Sequence, residues 1–123
     1  PSSRIQVPVH YKECLKCILL PHGIIQDKVE KLADDIATDY ADKTVHLLCV
    51  LKGGSAFFHD LSTALRRAHL HRRLAYIPFT FDFIRAKSYD GTESTGSVEI
   101  SGVDLATLAG KHVLLVEDII DTG

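Results

Sequence analysis

The chain has 123 residues, enough for one packed core. Its 46% hydrophobic and 24% charged residues give the composition of an ordinary soluble globular domain rather than a low-complexity chain. A formal net charge of −2 argues against a general nucleic-acid binder. No run of about 18 apolar residues is available to span a membrane, and Pro1 to His10 lacks the apolar core of a signal peptide.

In chain order, Tyr11 to Cys17 is predicted as a short helix and Ile18 to Leu20 as a short apolar edge strand ending at Pro21. Cys14-Leu15-Lys16-Cys17 has the spacing of a zinc half-site or a redox pair, but tetrahedral zinc needs two further ligands, and Cys49 in mid-strand is a poor one. Three cysteines are an odd count and nothing indicates secretion, so reduced thiols in a cytoplasmic protein are expected, Cys14 and Cys17 being partly buried.

Ile24, Ile25, Val29, Leu32, Ala33 and Ile36 recur at three- and four-residue spacing with charged residues between them, which predicts an amphipathic helix from about Gly23 to Tyr40. Val45 to Leu51 follows as a buried strand, and Ser55 to Arg67 as a second helix carrying Phe57, Phe58, Leu61 and Leu65. Lys52-Gly53-Gly54 lies at the strand-to-helix junction between them. Two glycines there expose backbone N–H groups beside a cation and a helix N-terminus, a geometry suited to an anion, although a bare Lys-Gly-Gly is also an ordinary turn. The basic run Arg66, Arg67, His69, His71, Arg72 and Arg73 reads as a solvated helix terminus, since no aromatic residues interleave it for base stacking.

Tyr76 to Ile84 is predicted as the next strand, with Phe79, Phe81 and Phe83 alternating against Thr80 and Asp82. Residues 85–96 then turn polar and glycine-containing, which on the residues alone fits an exposed hairpin loop or a lid. Ser97 to Ser101 resumes as a strand. Strand and helix alternate throughout, predicting a single α/β domain.

The final segment carries the chemistry. Val113 to Val116 is a continuous apolar run, read as a parallel strand buried on both faces. It delivers Glu117, Asp118 and Asp121 into a turn at its carboxyl end, where open α/β sheets bind ligands. Neighbouring carboxylates are best tolerated where a cation or several hydrogen-bond donors satisfy them, and vicinal ribose hydroxyls with Mg²⁺ would do so. Thr122 and Gly123 add a hydroxyl and an unhindered N–H suited to an anion-binding turn.

Val113 to Gly123 resembles the phosphoribosyl-pyrophosphate motif of type I phosphoribosyltransferases. Pro21 to Ile25, Leu51 to Gly54, Phe81 to Arg85, Lys87 to Tyr89 and Ser94 to Gly96 resemble, in the same order, segments of the hypoxanthine-guanine branch of that family. The resemblance implies a mostly parallel sheet flanked by helices, truncated after the motif, so that residues 1–123 form a single incomplete phosphoribosyltransferase domain.

It also implies Mg²⁺-dependent transfer of a 5-phosphoribosyl group to hypoxanthine or guanine, giving IMP or GMP and pyrophosphate. Glu117 and Asp118 would bind the ribose, and the metal indirectly through substrate or water. Asp121 would be the proton acceptor, and Asp121, Thr122 and Gly123 would hold the 5′-phosphate. Lys52, Gly53 and Gly54 would bind pyrophosphate, with a cis peptide before the lysine. Ser88 and Tyr89 would close the lid. A homo-oligomer, dimer or tetramer, is implied for the full-length protein, while this chain alone, lacking the residues that read the base, is expected to show negligible turnover. The alternative is a phosphoribosyltransferase-fold binding or regulatory protein without turnover. A nucleotide-dependent dehydrogenase is disfavoured, because no G-x-G-x-x-G turn is present.

Overall fold

The computed structural model describes residues 5–72, 78–88 and 98–120. Its regular elements are helix α1 (His22–Asp39), strand β1 (Val45–Leu51), helix α2 (Ser55–Arg72), strand β2 (Phe79–Ser88), strand β3 (Val98–Ser101) and strand β4 (His112–Val116). The sheet order is β3-β2-β1-β4, with β2, β1 and β4 parallel and β3 antiparallel to β2. The expected mostly parallel sheet with flanking helices is therefore present.

One cluster organises the interior. Val45, Leu47 and Cys49 of β1 and Val116 of β4 meet Val29, Ala33 and Ile36 of α1 and Phe58, Leu61 and Ala64 of α2. Alternate residues of β1 point to this face, so every second side chain of the strand joins the helix layer. Phe79, Leu114, Tyr40, Phe57 and Leu65 pack around the cluster.

Both major helices follow from local sequence and are then trimmed by packing. Pro21, with φ −63°, leads directly into α1, and its carbonyl accepts from the Ile24 amide at 3.0 Å. The buried stripe of α1 is narrower than its apolar pattern: Val29, Ala33, Ile36 and Ala37 are buried, whereas Ile24, Ile25 and Leu32 are exposed. Beyond α1, Asp42 adopts a left-handed φ of 65° in a turn closed by Lys43 N–H donating to the Tyr40 carbonyl.

The second helix runs past the expected end at Arg67 to Arg72. Its basic side chains tie layers together: Arg66 lies over the Phe79 ring at 5.6 Å, and Arg67 pairs with Glu30 of α1 at 3.4 Å. Arg66 and Arg67 are the first two residues of the basic run read from sequence as a helix terminus.

Several expectations are corrected. No α-helix spans Tyr11 to Cys17; a single 3₁₀ turn, Val9–Tyr11, occurs instead, followed by further turns. That segment has no buried face, and an unpacked helix of such length does not hold in water. Cys14 and Cys17 are consequently exposed rather than partly buried. Ile18 to Leu20 forms no strand, having no neighbour in the sheet, and Leu19 is 86% exposed. Strand β2 continues through Arg85–Ser88 because β3 pairs with it there, so the first residues assigned to the lid belong to the sheet. Residues 89–96 of the expected lid lie outside the described residues.

Strand β4 is also not buried on both faces. Among the described residues it pairs with β1 alone, and Leu115, which points away from the helix layer, is 59% exposed. Among the described residues no helix is long and apolar enough to cross a membrane.

Candidate functional site

Parallel pairing sets the site. Cys49 of β1 stands opposite Val116 of β4, so the two strands end side by side, one continuing into Lys52-Gly53-Gly54 and the other into Glu117 and Asp118. From β1 the sheet extends to β2 on one side and to β4 on the other. A crevice at such a switch in strand order is where open α/β sheets place ligands.

On the β1 side, the Leu51-Lys52 peptide is cis, as the resemblance implied. The Lys52 carbonyl accepts from the Ser55 amide at 3.2 Å and from Ser55 Oγ at 2.8 Å, which fixes the loop onto the first turn of α2. That turn contains no acidic residue, so the positive end of an 18-residue helix opens into the crevice. Gly54 is buried, and a Cβ there would lie 2.8 Å from the Val50 carbonyl oxygen and 3.3 Å from that of Val116. Only glycine lets the loop pass this close to two strand backbones.

On the β4 side, the Asp118 amide donates to Glu117 Oε1 at 2.9 Å, which turns the glutamate back along the chain. Asp118 is exposed and its carboxylate lies against Gly53: a Cβ on Gly53 would overlap Oδ2 and fall 2.8 Å from Cγ. The acidic pair and the glycine loop, 64 positions apart by the numbering of Gly53 and Glu117, thus form two walls of one crevice. Of the other sequence-predicted residues, Asp121, Thr122, Gly123 and Tyr89 lie outside the described residues. Ser88 is the last residue of β2, and Lys52 is exposed at the crevice.

Cys49 lies beneath the crevice. Burial, and secondarily the Glu117 carboxylate, push its thiol above the ordinary value of 9.0. The neutral thiol is therefore favoured in the folded state. Its contribution to stability is whole below pH 9.0 and is lost as pH rises through the higher folded value. In native protein at about pH 8, an aromatic disulfide reagent is expected to titrate Cys14 and Cys17 rapidly and Cys49 only on unfolding. Rapid titration of all three thiols would contradict that burial.

Sequence reading missed one polar cluster. His46 is 5% exposed, with Nδ1 2.7 Å from Thr80 Oγ1. Its Nε2 lies 3.1 Å from Asp82 Oδ2 but forms no hydrogen bond to it. The only signal in the sequence was polar residues in two apolar strands. The register that pairs His46 with Thr80 appears in the folded sheet alone.

Comparisons with known proteins agree with this geometry. The chain is 48% identical over 118 residues to the hypoxanthine-guanine phosphoribosyltransferase of Homo sapiens, covering 95% of this chain and 54% of that protein. The chain thus spans about half the length of the curated relatives it matches. A hypoxanthine phosphoribosyltransferase structure from Staphylococcus aureus superposes with a TM-score of 0.74 at 30% identity, over 96% of this chain and 59% of that one. A hypoxanthine-guanine phosphoribosyltransferase from L. donovani does so with a TM-score of 0.65 at 33% identity, over 81% and 57%. The phosphoribosyl transferase domain family matches residues 18–123. Because that span holds both walls of the crevice, the chain belongs to the phosphoribosyl transferase domain family.

Proposed function

We propose that the full-length protein transfers the 5-phosphoribosyl group of phosphoribosyl pyrophosphate to hypoxanthine or guanine, giving IMP or GMP and pyrophosphate, as a cytoplasmic homo-oligomeric enzyme of purine salvage. One observation carries this reading: the Asp118 carboxylate stands against the Lys52-Gly53-Gly54 loop, so a hydroxyl-binding acidic pair and an anion-binding loop face one ligand. A molecule with a diol and a pyrophosphate close together can use both. The 48% identity to hypoxanthine-guanine phosphoribosyltransferases supports the same substrate class.

Glu117 and Asp118 accept hydrogen bonds from the ribose hydroxyls and orient the sugar in this proposal, while the loop amides and Lys52 receive the departing pyrophosphate. Asp121 accepts the proton of the purine. The donor set suits Mg²⁺ held through substrate or water: the two carboxylates offer hard oxygen acceptors to a hydrated cation. Glu117 and Asp118 would hold such a cation indirectly, through its waters or the bound substrate. When bound, Mg²⁺ neutralises charge on the pyrophosphate.

The test is pyrophosphate release by the full-length protein, which is expected to require phosphoribosyl pyrophosphate and a 6-oxopurine together. Tight binding of phosphoribosyl pyrophosphate without any base-dependent release would instead establish a non-catalytic nucleotide-binding protein. Asp121→Ala is expected to slow turnover while sparing phosphoribosyl-pyrophosphate binding. Equal loss of both would remove its role as proton acceptor.

A further inference from the structure

The two glycines of the loop differ in what a side chain would meet. At Gly54 the obstacles are backbone oxygens of Val50 and Val116, which cannot move without distorting both strands. At Gly53 the three nearest atoms all belong to the Asp118 side chain. Gly53 is not among the positive-φ glycines, so its backbone does not demand glycine. Conformation therefore leaves this position open to alanine, and the carboxylate is the closest obstacle to it.

We propose that Gly53 is a positioning residue: the missing side chain at 53 is what seats the Asp118 carboxylate against the loop between β1 and α2. The inference rests on the function proposed above, and it goes further by giving Gly53 a part beyond offering its amide to an anion. With alanine at 53, Asp118 would rotate to another staggered well and carry its carboxylate out of the crevice. Since Asp118 is exposed, the rotated side chain meets water and the fold loses little. The ligand loses a correctly placed acceptor. Gly54→Ala behaves differently, because there the backbone must yield.

The experiment is a double-mutant cycle in the full-length protein, with Gly53→Ala, Asp118→Ala and the double variant read by phosphoribosyl-pyrophosphate affinity and thermal unfolding. Gly53→Ala is expected to raise the dissociation constant about tenfold while keeping the unfolding midpoint near that of the parent; in the double variant it adds nothing to the loss from Asp118→Ala alone. Gly54→Ala is expected to lower the midpoint by several degrees. Losses from Gly53→Ala and Asp118→Ala that simply add would overturn the proposal.

A second readout is the ¹³C resonance of the Asp118 side-chain carboxylate, which should move in Gly53→Ala; an unmoved resonance would also overturn it. Should the parent protein bind no phosphoribosyl pyrophosphate, the proposed function fails, and the resonance alone decides whether Gly53 seats Asp118.

Discussion

Asp118→Ala in the full-length protein is expected to lower kcat/KM for phosphoribosyl pyrophosphate by about a hundredfold. In the proposed complex the carboxylate accepts hydrogen bonds from ribose hydroxyls, and a hydrogen bond to a charged group contributes about 1.5–3 kcal/mol. Loss of two weaker ones or one strong one costs roughly 3 kcal/mol, near two powers of ten. Removing Asp118 also frees the space against Gly53, so water can enter beside the loop and compete for its amides. The fold should hardly notice, because Asp118 is exposed and sits beyond the end of β4. Steady-state kinetics with varied phosphoribosyl pyrophosphate, beside a thermal melt, measures both halves. Unchanged kcat/KM would disprove the assignment of Asp118 to the ribose, and a collapsed melt would make it a structural residue.

Leu47→Ala is expected to destabilise the protein by about 3–5 kcal/mol. Leu47 is fully buried at the middle of the central strand, with Phe81 of β2 and Leu114 of β4 as its parallel partners. It belongs to the cluster that joins the sheet to both helices, so the cavity left by alanine is walled on several sides and collapses poorly. Against a total stability of about 5–15 kcal/mol, this one change removes a large share. Leu115→Ala is the control, since that side chain is 59% exposed and its loss should cost well under about 1 kcal/mol. Denaturant unfolding of both variants decides the matter. Equal losses would mean that the core does not lie on the face assigned to it.

These two residues also show which parts of the molecule were legible in sequence. Asp118 could be singled out because a rare local order, an apolar strand followed by adjacent acids, states its chemistry without any partner. Leu47 could be placed in a buried strand because Val45 to Leu51 is apolar apart from His46, and the strand bounds agree with those expected. Local reading went wrong wherever a neighbour was needed. Cys14 and Cys17 look like part of a short helix until the folded chain leaves every residue from Tyr11 to Cys17 exposed. Arg85–Ser88 looks like loop until β3 lies alongside. Val113 and Leu115 look buried until β4 takes the edge of the sheet.

The sequence by itself determined the α/β alternation, the bounds of β1 and the amphipathic character of α1, and it singled out the candidate site residues Lys52-Gly53-Gly54, Glu117 and Asp118. Each depends on periodicity or on short-range residue order, which the chain carries locally. The tertiary structure alone decided that Asp118 rests on Gly53, that Gly54 passes between the carbonyls of Val50 and Val116, and that His46 meets Thr80 and Asp82. Those contacts depend on strand order and register, which arise only when separated strands pair and a one-residue slip would turn each side chain to the opposite face.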